Sequence, residues 1–138
     1  MPRLLVLGLS LVSVVCLQSC ATTPAPKFEL VRGLVTTGGE AKFEEIAVTE
    51  VPLKSRAFVI VHLRWSPATV SAGRHAVSWL WYSGDQLVHA SKKTFEFKTS
   101  PYRLWSYLSA SGLGLGHYRV LLVIDNQTID TQQFDVVP

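Results

Sequence analysis

Apolar positions fall into two regimes along the 138-residue chain. Residues 4–17 form an almost unbroken apolar run behind a single positive charge, Arg3. From Phe28 onward apolar and polar residues alternate with a period of two, the spacing that puts one face of an extended strand in a core and the other in water. Phe28 and Leu30 open this alternation, and residues 43–51 carry a second, weaker stretch. Within residues 58–65, Val59, Val61, Leu63 and Trp65 share one face, His62 and Arg64 take the other, and Ser66-Pro67 ends the strand. Residues 75–82 and 86–90, joined by Ser83-Gly84-Asp85, predict a hairpin with Val77, Trp79 and Trp81 on one face. Residues 94–98 alternate again, setting Phe95 and Phe97 against Thr94, Glu96 and Lys98. In the last hairpin Tyr118, Val120, Leu122 and Ile124 line one face, Asp125-Asn126-Gln127 turns the chain, and Phe134 and Val136 return on the inside.

Roughly six to eight short strands with no helix between them predict an all-β antiparallel sandwich. One stretch breaks the pattern. Over residues 102–108, Leu104 and Leu108 stand at i and i+4, which predicts one or two helical turns. The glycines of Ser111-Gly112-Leu113-Gly114-Leu115-Gly116 do not make a phosphate loop, because no Lys-Ser/Thr pair follows and a strand comes next. They let the chain turn sharply into the strand at Tyr118.

The apolar run over residues 4–17 falls short of the roughly 20 residues that a bilayer crossing needs. A removable export signal is therefore expected, not a permanent span. The run leads into Leu17-Gln18-Ser19-Cys20, with a branched apolar residue at −3, a small residue at −1 and cysteine at +1. This tetrad resembles the lipobox of bacterial lipoproteins. The resemblance implies a diacylglyceryl group on the Cys20 thiol, removal of residues 1–19 and acylation of the new amine, so that the protein meets the membrane through its N-terminal lipid. Ala21, where an aspartate is absent, implies the outer membrane, most simply its periplasmic face. One acyl chain binds a bilayer reversibly, and two or more hold firmly.

The expected organisation is thus a signal over 1–19, a lipidated tether over 20–27 containing the Pro/Thr-rich Ala21-Thr22-Thr23-Pro24-Ala25-Pro26, and one sandwich domain over 28–138. The only cysteines are Cys16 and Cys20. With the signal removed, Cys20 would stand alone, which rules out an intramolecular disulfide, a cysteine-based zinc cluster and a Cys–His catalytic pair. Lys and Arg together number 13 against 10 Asp and Glu, and the signal takes Arg3 with it. The remaining small positive excess is scattered, which argues against a nucleic-acid surface. Lys92-Lys93 and the pair Lys54 and Arg56 read as solvated strand edges that discourage sheet-to-sheet pairing.

A second resemblance rests on Trp79-x-Trp81, Arg103-Leu104-Trp105-Ser106, Gly116-His117-Tyr118-Arg119-Val120 and Phe134-Asp135-Val136. In this order and spacing they resemble the signature of bacterial immunoglobulin-like domains of unknown function found in envelope proteins, over about residues 56–138. The immunoglobulin plan implies that Trp79 or Trp81 is the core tryptophan of the third strand. It also places Tyr118 at the tyrosine corner, two residues before Val120, which replaces the second disulfide cysteine.

Candidate chemistry is sparse. His62, His75, His89 and His117 lie on four separate predicted strands or their ends, none at a spacing that makes a metal site locally. No G-x-S-x-G occurs. Asp125 and Asp130 flank a hairpin turn, where aspartate favours turning for backbone reasons. No catalytic residue, metal or cofactor is therefore expected. Two features offer binding. Tyr82, with Leu80, lies opposite the Trp79 and Trp81 face, and Arg103, Trp105 and Tyr107 recur at every second residue, which places them on one side if the segment is extended. Against this, Trp105 would plug the end of the sandwich and Arg103 cover an aromatic ring. The leading expectation is a non-catalytic envelope lipoprotein that binds an envelope protein or serves an envelope assembly. A glycan-binding module using Tyr82, Trp105 and Tyr107, and a hydrolase built from scattered His and Asp, are the competing ones. A contiguous exposed aromatic strip, an apolar patch beside an unpaired edge, and a His/Asp cluster in a deep pocket would separate the three.

Overall fold

The computed structural model describes residues 27–38 and 45–138. The signal over 1–19 and the tether, Lys27 excepted, lie outside these residues, as does Cys20. Eight strands and one short helix follow in order: β1 (Glu29–Thr36), β2 (Glu50–Pro52), β3 (Arg56–Arg64), β4 (Gly73–Ser83), β5 (Gln86–Phe97), β6 (Tyr102–Ser109), α1 (Ala110–Leu113), β7 (Gly116–Ile124) and β8 (Gln127–Val137). They form two sheets, a small one in the order β1-β3-β6 and a large one in the order β2-β8-β7-β4-β5. All neighbours are antiparallel except β2, which runs parallel to β8.

The alternating positions face one another as expected. Val59, Val61 and Leu63 of β3, with Trp65 just past its end, pack into one core with Val77, Trp79 and Trp81 of β4 and Tyr118, Val120, Leu122 and Ile124 of β7. Phe134 and Val136 return along β8 to the same core. Asp125 and Asn126 both adopt positive φ, 48° and 67°, the requirement of the two-residue turn that matches strand twist. The Asp125 carboxylate then accepts from the Ala76 amide at 3.0 Å, tying this turn to β4. Asp130 plays no part in the turn. It lies in β8 against Gly33 of β1, so close that a Cβ on Gly33 would stand 1.9 Å from the Asp130 carboxylate.

Residues 86–90 and 94–97 belong to one long strand, β5, not two, and Lys98 lies just past its end. The weak alternation over 43–51 yields only the three residues of β2, and positions 43 and 44 lie outside the described residues. Residues 102–108 are not helical. They form β6, paired with β3 from Arg56↔Ser109 to Leu63↔Tyr102. Leu104 and Leu108 are separated by an even number of residues, so they share a face in a strand as well as in a helix, and the pairing with β3 decides between them. The single helical turn sits just beyond, in α1.

At the sharp connection that follows, Gly114 takes φ 86°, a conformation costly for any side chain. This brings the Leu113 and Gly114 carbonyls over the Tyr118 hydroxyl, which donates to both, the latter at 3.0 Å. A tyrosine near the start of this strand, bonded back to the backbone a few residues upstream, is the tyrosine corner of immunoglobulin sandwiches. Trp81 is fully buried on the third strand of the plan, Trp79 nearly so, and Val120 is buried where a disulfide cysteine would otherwise stand.

Candidate functional site

Among the described residues the small sheet has three strands and the large one five, so part of the large sheet has no strand of these opposite it. β1 lies over β8, as the Gly33 contact shows. At the other side the inner face of β5 is left uncovered by the described residues. There a groove of about 520 Å³ opens between β5 and β6, floored by Val77 and Trp79. The hairpin register Val77↔Lys93, Trp79↔Ser91 and Trp81↔His89 turns His89, Ser91 and Lys93 of β5 toward it. From β6 every residue from Tyr102 to Tyr107 contributes, inward and outward side chains alike, so that wall is the strand's edge itself. Among the described residues β5 pairs only with β4, and β6 only with β3. Lys92 and Lys93 thus differ in role: Lys92 points outward, and Lys93 lines the groove.

The outer face of the small sheet is organised in three rows across β1, β3 and β6: Thr36, Phe58 and Tyr107; Leu34, Ile60 and Trp105; Arg32, His62 and Arg103. Phe58 and Ile60 are buried although they face away from the main core. The signal for this was present in Ala57-Phe58-Val59-Ile60-Val61, an unbroken apolar run of the kind that marks a strand covered on both faces. Trp105 and Tyr107 are each 44% exposed and lie nearly parallel, 16° apart with centroids at 6.0 Å. The expectation that Trp105 plugs the end of the sandwich is therefore not met. Tyr107 is flanked further by Phe58 at 5.0 Å and by the Arg56 guanidinium at 5.3 Å. The Arg103 Nε donates to Glu45 at 2.8 Å.

Glu45 gathers the third row. Its carboxylate lies 2.8 Å from His62 Nε2 and 3.9 Å from Arg32, and its carbonyl accepts from Arg32 at 2.8 Å. Burial pushes the Glu45 carboxyl up, but hydrogen bonds from His62 and Arg103, aided by their charges, outweigh it and hold the group below its ordinary value of 4.5. Because the folded value is the lower one, this contribution to stability is complete above pH 4.5 and is lost as pH falls through the depressed value. Urea midpoints measured from pH 7 down to pH 3 should fall in acid, and Glu45→Gln should flatten that fall. An unchanged acid slope in the variant would show that the cluster does not couple to folding. Glu45 carries no local signal, because its partners lie 13, 17 and 58 residues away.

Tyr82 is placed elsewhere. It projects from the outer face of the large sheet, on the far side of the sandwich from Trp105 and Tyr107, with the Arg119 guanidinium 5.0 Å over its ring. Arg103, Trp105 and Tyr107 come together, and Tyr82 does not join them. The histidines also stay apart. His75 Nδ1 lies 2.5 Å from Asp125, whose carboxyl is lowered chiefly by that hydrogen bond, and His117 Nδ1 lies 2.7 Å from Asp135 on a different strand pair. Among the described residues no three His, Cys, Asp or Glu side chains gather to hold a metal ion.

The topology, the buried Trp81 and the Tyr118 corner define an immunoglobulin-like β-sandwich. No protein-family model matches the chain, and no curated protein matches it in sequence. Solved structures do. An immunoglobulin-like protein from Pseudomonas aeruginosa is similar over 83% of this chain and 100% of its own length, with a TM-score of 0.56 at 10% identity. The CARDB domain of a Pyrococcus furiosus protein matches over 83% of this chain and 90% of that one, with a TM-score of 0.50 at 15% identity. A β-glucosidase from Listeria innocua is similar over 82% of this chain, which spans only 16% of that enzyme, with a TM-score of 0.52 at 12% identity. At such identities the likeness is one of fold.

Proposed function

We propose that this chain is an outer-membrane lipoprotein, held by lipid on Cys20 at the periplasmic face, whose immunoglobulin-like domain is a non-catalytic module that binds another envelope protein. The observation that carries the binding part is the groove between β5 and β6. It joins an apolar floor and the exposed Trp105 and Tyr107 to two strand edges that have no neighbour among the described residues. Strand edges present rows of backbone donors and acceptors, and proteins use them to take up a further strand. The glycan reading asked for a contiguous aromatic strip, whereas Tyr82 lies on the opposite face and the rings of Tyr82 and Tyr107 are flanked by arginines.

A photo-crosslinkable residue at Ser106, inside the groove, should give a discrete protein adduct in intact cells, and one at Thr128, on exposed β8, should not. Recovery of the uncrosslinked chain alone from both positions would overturn the binding proposal. For the anchor, Cys20→Ser should leave a precursor that is neither cleaved nor labelled by fatty acid. Normal processing of that variant would refute it.

The groove also makes a prediction about stability. Trp105→Ala should cost no more than about 2 kcal/mol, against the roughly 3–5 kcal/mol typical of truncating a fully buried aromatic, as judged by urea unfolding. A cost in the upper range would mean that Trp105 serves the core.

A further inference from the structure

Resting on the reading of the groove as a protein-binding site, we infer that it accepts one extended, acidic segment of the partner, added as a strand alongside β6. The small sheet would then become β1-β3-β6-partner, and the new strand would cover the inner face of β5 that the small sheet leaves bare. Three observations converge on this occupant.

The first is geometric. Six consecutive residues of β6, Tyr102 to Tyr107, line the groove, so what faces it is a strand edge and not a scatter of side chains. An added strand pairing with all six would run roughly 20 Å at about 3.3 Å per residue. The second is periodic. Alternate side chains of such a strand would point inward onto Val77, Trp79, Ser91 and Lys93, and the others outward beside Trp105 and Tyr107. An inserted segment with small or apolar groups at most inward positions and an acid at the one over Lys93 fits that alternation.

The third is charge. Lys93 and His89 enter the groove from β5 and Arg103 from β6, and no Asp or Glu is found among the described residues lining it. Arg103 is already matched by Glu45, which makes Lys93 the dominant cation facing an incoming strand. An inward-pointing lysine on an edge strand repels indiscriminate pairing. The same lysine admits a strand that brings a carboxylate opposite it, so one residue both rejects wrong partners and selects the right one. A glycan fits less well, because a sugar needs a free ring face and Tyr107 is hemmed in by Trp105, Phe58 and Arg56.

The test is selection of a random dodecapeptide display library on the full chain isolated from membranes in detergent. Retained peptides should carry an Asp or Glu two or four residues from small or apolar ones, so that the acid and the apolar groups share one face. A resynthesised peptide should lose at least about tenfold in affinity with Lys93→Glu, and change less than about twofold with Lys92→Glu on the opposite face of the same strand. N-methylation of alternate backbone amides in the peptide should abolish binding, which side-chain docking alone would not require. Circular dichroism of both lysine variants controls for folding. Retained peptides without acidic bias, or binding insensitive to Lys93→Glu, overturn the acidic-strand inference, while their loss in Trp105→Ala would leave the protein-binding site standing. Failure to retain any peptide, with hyaluronate binding in a Lys93-dependent way, would assign the groove to an anionic glycan and overturn both readings. A dimer in sedimentation equilibrium that Lys93→Glu dissociates would make a second copy the occupant and overturn the acidic segment.

Discussion

Trp81→Ala should remove a large share of the stability of this domain. Trp81 is 0% exposed on β4 and meets Phe134 of the same sheet edge-on at 6.2 Å within the core. Truncating a buried aromatic costs about 3–5 kcal/mol, because the lost burial is compounded by a cavity that the core refills only in part. Whole domains hold only about 5–15 kcal/mol. No disulfide limits the damage, since the only cysteines are Cys16 and Cys20. Urea unfolding followed by circular dichroism should show the midpoint falling by about a third or more. A shift equivalent to less than about 1 kcal/mol would mean that Trp81 is not a centre of the core. Trp81→Phe should cost distinctly less, because the Trp81 Nε1 is buried without an acceptor among the described residues and its removal relieves an unsatisfied donor.

Tyr118→Ala should rank beside it. The ring stacks on Phe134 at 5.6 Å and 22°, and the hydroxyl is the link between β7 and the turn that precedes it. Loss of the ring alone places the cost at about 3–5 kcal/mol. Tyr118→Phe isolates the hydroxyl and should cost about 1–2 kcal/mol, the range for a hydrogen-bonding group removed from partners that are partly buried. Amide hydrogen exchange would locate the effect. In Tyr118→Phe protection should fall first around residues 110–116, while the β4 and β7 centres keep theirs. Uniform loss of protection would mean that the corner supports the whole fold and not this connection.

The parts of the fold legible from sequence were those where one face is wet. Tyr118, Val120, Leu122 and Ile124 alternate cleanly because the large sheet's outer face is solvated there, and Asp125-Asn126 suits positive φ. Tyr118 at the corner followed from the immunoglobulin resemblance. Where both faces are covered, as at Phe58 and Ile60, alternation carries no signal and the outer layer of the small sheet went unread. Residues 102–108 failed for another reason: Leu104 and Leu108 satisfy helix and strand equally, and pairing with β3 is not written locally. The candidate site was legible only in part. Arg103, Trp105 and Tyr107 were grouped by spacing alone, whereas the inward turn of Lys93 depends on the hairpin register that sets it opposite Val77. Glu45 is tied to its partners only by tertiary folding.

The pairing of β1 with β3 has a mechanical side. The chain enters β1 at the end where Glu29 meets Arg64 through a forked ion pair, and β6 starts at that same end, Tyr102 beside Leu63. A pull on the chain ahead of Lys27, directed along the strands and resisted by a partner gripping β6, would load the β1 to β3 ladder in shear. All its hydrogen bonds would then share the force together instead of opening one after another, and the small sheet would act as a stiff strap between the anchoring end and the gripping edge.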